Sequence, residues 1–131
     1  MTLFNAIGIA GSGVTVYRKW LDAVSDNLAN INNVTSTDGE AFRAKYVIAQ
    51  EAADGNGAQV GGIVEGSAEG RLVYEPTHPL ADAEGYVRYP DIDLTSQMGQ
   101  LIMAQRAYQA NLTVVDRARE SYLAALQLGR S

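Results

Sequence analysis

The last third of the chain, residues 94–128, constrains the fold more than any other stretch. It holds no proline, and after Gly99 no glycine comes before Gly129. Leu94, Leu101, Tyr108, Val115 and Tyr122 recur at heptad spacing. A neighbouring line carries Met98, Leu112 and Leu126, interrupted by Gln105 and Arg119. A third line, Gln97, Ala104, Asn111, Ala118 and Ala125, is almost entirely small. This period belongs to a long amphipathic helix and not to a strand. A large row beside a small one lets another helix approach closely. At 1.5 Å per residue the helix is roughly 50 Å long, more than a small domain covers alone.

The expected partner lies at the other end. Ile7, Val14, Leu21 and Leu28 form one heptad row, and Ala10, Tyr17, Val24 and Ile31 another, three residues apart. Together they describe an a/d seam. The expected fold is α+β, with long N- and C-terminal helices paired as an antiparallel coiled coil and a small β-rich insert between them. The segments are 1–34, 35–90 and 91–131. The first thirteen residues carry Gly8, Gly11 and Gly13. Each glycine costs a helix about 1 kcal/mol against alanine, so this stretch frays unless something packs on it. Asn30, Asn32 and Asn33 unwind the first helix, and residues 35–39 form a turn. Asp91 or Asp93 caps the long helix, and Gly129 closes it.

The middle reads as short strands. Residues 46–48 and 62–64 flank Asp54-Gly55-Asn56-Gly57, which is hairpin chemistry. Residues 71–74 and 85–89 are two further candidates. Pro76, Pro79 and Pro90 lie between or just beyond these two. One small sheet leaning on the helices is expected, because four short strands are marginal alone.

Charge excludes several functions. The formal net charge is −5. Residues 34–90 hold nine acids against four bases, whereas both helical ends are neutral. Nucleic-acid binding needs clustered Lys and Arg, so it is not expected. No long apolar run spans a membrane, and no basic residue precedes the first apolar stretch as a cleaved signal peptide requires. There is no cysteine. His78 is the one histidine, flanked by Glu75 and Asp82, with no nucleophile elbow anywhere. Pro76 and Pro79 keep it off a helix, so His78 reads as part of a rigid loop. No catalytic, metal or cofactor site is expected. Asn111 and Gln105, polar among apolar rows, read as setters of register and partner.

Three segments carry a resemblance. Residues 26–33, Asp-Asn-Leu-Ala-Asn-Ile-Asn-Asn, include Asn27, Ala29 and Asn30 and resemble the N-terminal signature of flagellar axial proteins, the rod and hook subunits. Residues 103–111, Met-Ala-Gln-Arg-Ala-Tyr-Gln-Ala-Asn with Arg106 at their centre, are similar to that family's C-terminal helix. Between them, residues 73–82 with Pro76, His78 and Pro79, and Gly85-Tyr86-Val87, resemble the proximal-rod branch. The chain departs from that branch in Glu75, where aspartate is commoner, and in Pro90-Asp91-Ile92. The resemblance implies a non-enzymatic subunit of the flagellar basal-body rod, polymerising through its terminal helices into a drive shaft. It implies copies of itself and other rod proteins as partners. It also implies an adaptor to the membrane ring, flagellar type III export without a cleaved signal, and a place in the periplasm. The assembly residues then fall on the two seams: Val14, Tyr17, Leu21, Val24, Leu28 and Ile31 on the first helix. On the second they are Leu94, Met98, Leu101, Ala104, Gln105, Tyr108, Asn111, Leu112 and Val115. The competing readings are a coiled-coil adaptor that dimerises and stops, and a small enzyme centred on His78.

Overall fold

The computed structural model describes residues 2–130; positions 1 and 131, the outer limits of the first and third segments, lie outside the described residues. Helix α1 spans Leu3–Ala29 and helix α2 spans Leu94–Leu128. Thr2 starts α1, its Oγ1 accepting from the Asn5 amide at 3.2 Å. Asn30 ends it, with the side-chain Nδ2 donating to the Asp26 carbonyl at 2.9 Å. Of the two candidate caps for α2, Asp93 is the one used, its Oδ1 accepting from the Thr95 amide at 3.1 Å. Gly129 closes α2 in right-handed backbone (φ −72°), so its glycine character is not needed for a left-handed cap.

The helices run antiparallel. The Phe4 ring meets Tyr122 at 5.2 Å between centroids, Gly13 lies against Asn111, Trp20 Nε1 donates to Gln100 Oε1 at 3.3 Å, and Asn27 bonds Gln97. The glycine-rich first residues are helical from Leu3. The Phe4–Tyr122 contact and the buried Ala10 supply the packing that stretch requires.

The buried arc of α1 differs from the expected seam. Ala10, Val16, Ala23, Val24 and Asn27 are buried, while Ile7, Val14, Leu21 and Leu28 sit half-buried on the flank. A straight helix drifts about 20° per heptad relative to a strict seven-residue repeat. A second surface also covers α1: Val16 and Trp20 face Val47 and Ala49 of the first hairpin across an apolar groove of about 480 Å³. On α2 it is the small row, Gln97, Ala104 and Ala118, that is buried.

The middle is two ribbons, not one sheet. Strands β1 (Lys45–Glu51) and β2 (Ala58–Glu65) pair antiparallel, as do β3 (Arg71–Tyr74) and β4 (Tyr86–Tyr89). Extended chain separates them: the Gly66 amide donates to Ala44 O at 2.7 Å and the Ala41 amide to Ala68 O at 2.8 Å. Residues 41–44 and 66–68 thus continue the β1–β2 pairing past its last ladder residues towards the second ribbon. Gly70 (φ +59°) makes the corner, and any Cβ there would lie 2.1 Å from Tyr89 O. The second ribbon closes over Val87 and Pro90, both less than 2 % exposed, and is held to the end of α1 by the Thr35–Arg88 bridge.

Three glycines in the helices, Gly8, Gly11 and Gly99, have no internal reason. A Cβ at any of them meets nothing within 4 Å, whereas one at Gly13 lies 2.9 Å from Asn111 Oδ1. Gly99→Ala should therefore raise the unfolding free energy of the free chain by about 1 kcal/mol. Gly13→Ala should gain less or lose stability, because the Asn111 amide must move. Urea titrations of the full chain check the order; equal effects of the two changes would contradict the packing at Gly13.

Candidate assembly interface

The residues assigned to assembly divide into an inner and an outer set. Val24 and Ala104 are buried between the helices of this one chain. Val14, Tyr17, Leu21, Leu28, Ile31, Leu101, Tyr108, Asn111 and Val115 are half-buried along the same pairing. Leu94, Met98, Gln105 and Leu112 face solvent. Ile102, Met103, Val114, Leu123 and Leu126 join them as exposed large apolar residues that the heptad rows either omitted or left outside the interface. By helical spacing Leu94, Met98, Ile102, Leu112, Leu123 and Leu126 form an exposed apolar outer stripe on one flank of α2, interrupted by Gln105, Gln109, Asp116 and Arg119, while Met103 and Val114 lie on the opposite flank. Scattered exposed apolar residues are ordinary, whereas this stripe recurs at helical spacing over the length of α2.

Of the two polar residues expected on the pairing, Asn111 lies on it, against Gly13, and Gln105 does not. Gln105 is exposed, and Asn111 Nδ2 donates to Ala107 O of its own helix at 2.9 Å. The pair that is sealed inside is Asn27 with Gln97, 0 % and 2 % exposed. Asn27 Nδ2 donates to Lys45 O at 2.9 Å and to Gln97 Oε1 at 3.1 Å. The Lys45 amide donates back to Asn27 Oδ1 at 2.7 Å. One amide side chain thus satisfies both backbone groups of Lys45 and joins α1, α2 and β1. A buried polar group so fully bonded fixes a single arrangement, since any slip leaves several groups unpaired. Beside it, Lys45 Nζ donates to Asp26 Oδ2 at 2.6 Å, and this bond holds the lysine pKa above its ordinary value.

The remaining motif residues shape the second ribbon and its approach. Ala29 and Arg106 are exposed, and Asn30 is half-buried at the cap. Pro76 and Pro79 are exposed, Gly85 is buried, and a Cβ on Gly85 (φ +89°) would collide with the Tyr74 ring. His78 Nδ1 accepts from the Leu80 amide at 3.0 Å, so the imidazole braces its own loop. Among the described residues no group of three or more His, Asp or Glu is placed to hold a metal ion. The groove between α1 and the first ribbon is lined by Ile9, Val16, Trp20, Val47 and their neighbours, without a charged group.

Asp82 organises the loop between β3 and β4. Its Oδ1 accepts from the Tyr86 amide at 2.9 Å and the Glu84 amide at 3.0 Å, and Oδ2 from Thr37 Oγ1 at 3.1 Å. The Tyr86 bond is the largest influence and holds the Asp82 pKa below the ordinary carboxylate value; burial, next in size, opposes it, and Thr37 and the Glu84 and Gly85 amides add to the lowering. A depressed pKa stabilises the loop above the unfolded value and loses that contribution as pH falls through the folded one. Measured against the intrinsic exchange rate at each pH, the Glu84 and Tyr86 amides should therefore lose protection as the medium is acidified below the usual carboxylate range. In Asp82→Asn that acid-dependent step should vanish, which amide exchange read by NMR would show.

The architecture, two long terminal helices with an apolar outer stripe and β ribbons inserted at one end, has close sequence relatives. The model of the flagellar basal body rod FlgEFG protein C-terminal family matches residues 83–128. Flagellar basal-body rod protein FlgC of Salmonella typhimurium is 42 % identical over 134 residues, covering 99 % of this chain and 100 % of the relative. The Bacillus subtilis FlgC is 33 % identical over 150 residues with the same coverage, and that of Borreliella burgdorferi 30 % over 149 residues, covering 98 % of each. This chain belongs to the FlgC family of flagellar basal-body rod proteins. The family match begins just before β4 and runs through α2, so it includes the Asp93 cap, Gln97 and the outer stripe. None of the described helices is long and apolar enough to cross a membrane.

Proposed function

We propose that this chain is a structural subunit of the flagellar basal-body rod, built into the proximal rod beside copies of itself and other rod proteins. The observation that carries the reading is the apolar outer stripe of α2, on a chain matched over its whole length by rod proteins. In this reading the intramolecular pair forms one unit, and Leu94, Met98, Leu112 and their exposed neighbours meet the helices of adjacent subunits. Large apolar side chains at that surface can pack into the grooves of a neighbouring helix. Side-by-side packing of long helices suits a shaft that transmits torque. The wider setting follows from the same reading: export by the flagellar type III apparatus, a position in the periplasm, and an adaptor joining the rod to the membrane ring. The test is to purify basal bodies from cells lacking this chain and from cells carrying an epitope-bearing copy. Rods present without it, or basal bodies that never contain it, would refute the assignment.

A further inference from the structure

Helix packing leaves unexplained the motif in residues 73–82 and 85–87, which lies on the β3–β4 ribbon. There Val73 and Val87 form an inward cross-strand pair, with Val87 fully buried. The alternate positions point out, and they are not polar. Leu72, Tyr74 and Tyr86 are exposed by 56 %, 63 % and 37 %, the two rings meeting edge to face at 5.4 Å. A ribbon with one solvated face ordinarily carries polar side chains on that face. Both arginines of the ribbon are engaged internally: Arg88 donates to Thr37 O and Glu69 O, and Arg71 lies over the Tyr89 ring at 5.2 Å. The exposed carboxylates of Asp38, Glu69 and Glu84 have no basic partner among the described residues. The outer surface is therefore aromatic and acidic.

Complementary chemistry lies at the far end of the same chain. Arg119, Leu123 and Leu126 share one face of α2 and are exposed. Arg119 has no acidic partner among the described residues, and Arg130 follows the end of the helix. A guanidinium suits both a tyrosine face and a carboxylate, and the leucines suit the Leu72 and tyrosine surface. The ribbon sits where α1 ends and α2 begins. Arg119 is some seven helical turns further on, roughly 40 Å away, so one chain cannot bring the two surfaces together.

We propose that the Leu72–Tyr74–Tyr86 face of one copy docks head to tail on the Arg119–Leu126 face of a second copy's α2. Such a contact is heterologous and leaves each outer end open for the next copy, which favours continued growth over a closed dimer. The proposal rests on the rod-subunit reading and adds which two surfaces meet.

The chain lacks cysteine, so introduced pairs report without background. Leu72→Cys with Leu123→Cys should give a disulfide-linked ladder in oxidised basal bodies, and Leu72→Cys with Thr113→Cys, on another face of α2, should give none. On the purified full chain, Arg119→Glu should weaken self-association at low salt at least tenfold in sedimentation, and adding Glu84→Arg should restore part of it. Absence of the ladder in rods that otherwise assemble overturns the docking and leaves the subunit reading intact. Absence of wild-type self-association, or equal association of Arg119→Glu and wild type, overturns it without recourse to an assembled rod. If the wild-type chain is missing from basal bodies, it is the subunit reading that fails.

Discussion

Asn27→Leu should destabilise the free chain by about 3–5 kcal/mol. The change removes three hydrogen bonds and leaves the Lys45 amide, the Lys45 carbonyl and Gln97 Oε1 without their partner. Each buried polar group so orphaned costs about 1–3 kcal/mol, and the added apolar surface of leucine returns only part of that. Single domains are stable by roughly 5–15 kcal/mol, so the loss is a large fraction of the whole. Asn27→Asp keeps the acceptor for the Lys45 amide but loses both donated bonds and buries a charge, so it should be equally severe near neutral pH and milder in acid. Asn30→Ala removes one exposed capping bond and should cost about 1 kcal/mol or less. Urea unfolding followed by circular dichroism measures all three. A leucine variant within about 0.5 kcal/mol of wild type would show that the amide does not hold the three elements together.

The second expected result separates folding from assembly. Leu112 is 37 % exposed on a flank of α2, so Leu112→Asp should cost the free chain about 1–2 kcal/mol and leave it folded. Within a dry helix contact, an unpaired charge costs several kcal/mol. Cells carrying Leu112→Asp should therefore make the chain, fail to incorporate it into the rod, and not swim. Glu120→Gln removes only an exposed ion pair with Arg117 at 3.0 Å. Exposed pairs of this kind contribute about 1 kcal/mol or less, so motility should be retained. Motility halos, quantification of the chain in purified basal bodies and a thermal melt of each variant make the comparison. Normal swimming and a full rod in Leu112→Asp would remove the main support for α2 as the assembly surface.

The fold was legible in the sequence where the chemistry is local. The Asp93 cap, the Asp54–Gly57 turn, the four strands and the asparagine end of α1 each declare themselves within a few residues. The helix pair was legible because apolar residues repeating every seven positions over four heptads fit a long helix and little else. Asn27 was not. In sequence it precedes Asn30, Asn32 and Asn33 and looks like part of the same helix ending. Its partners are the backbone of Lys45 and the amide of Gln97, eighteen and seventy residues away, and no spacing rule connects them. Val16 and Trp20 were missed for a related reason: heptad spacing describes one partner for α1, and the first ribbon supplies a second. The expectation of one sheet failed because strand count does not say which strands share an edge: each hairpin pairs only within itself, and the corner at Gly70 separates them.

The point at which the β ribbons enter the chain has a mechanical consequence. They are inserted entirely between the end of α1 and the start of α2, at one end of an antiparallel pair. Tension or twist applied along the two helices is carried by their backbone ladders and by the contacts between them, and the second ribbon lies beside that line, not within it. Asn27 and Thr35 anchor the ribbons close to that same end, and the Ala58 amide adds one bond to Ser12 Oγ further along α1. A subunit built this way can bear load through the helices and the first ribbon packed along α1, while the second ribbon, off that line, stays relaxed and keeps its surface shape.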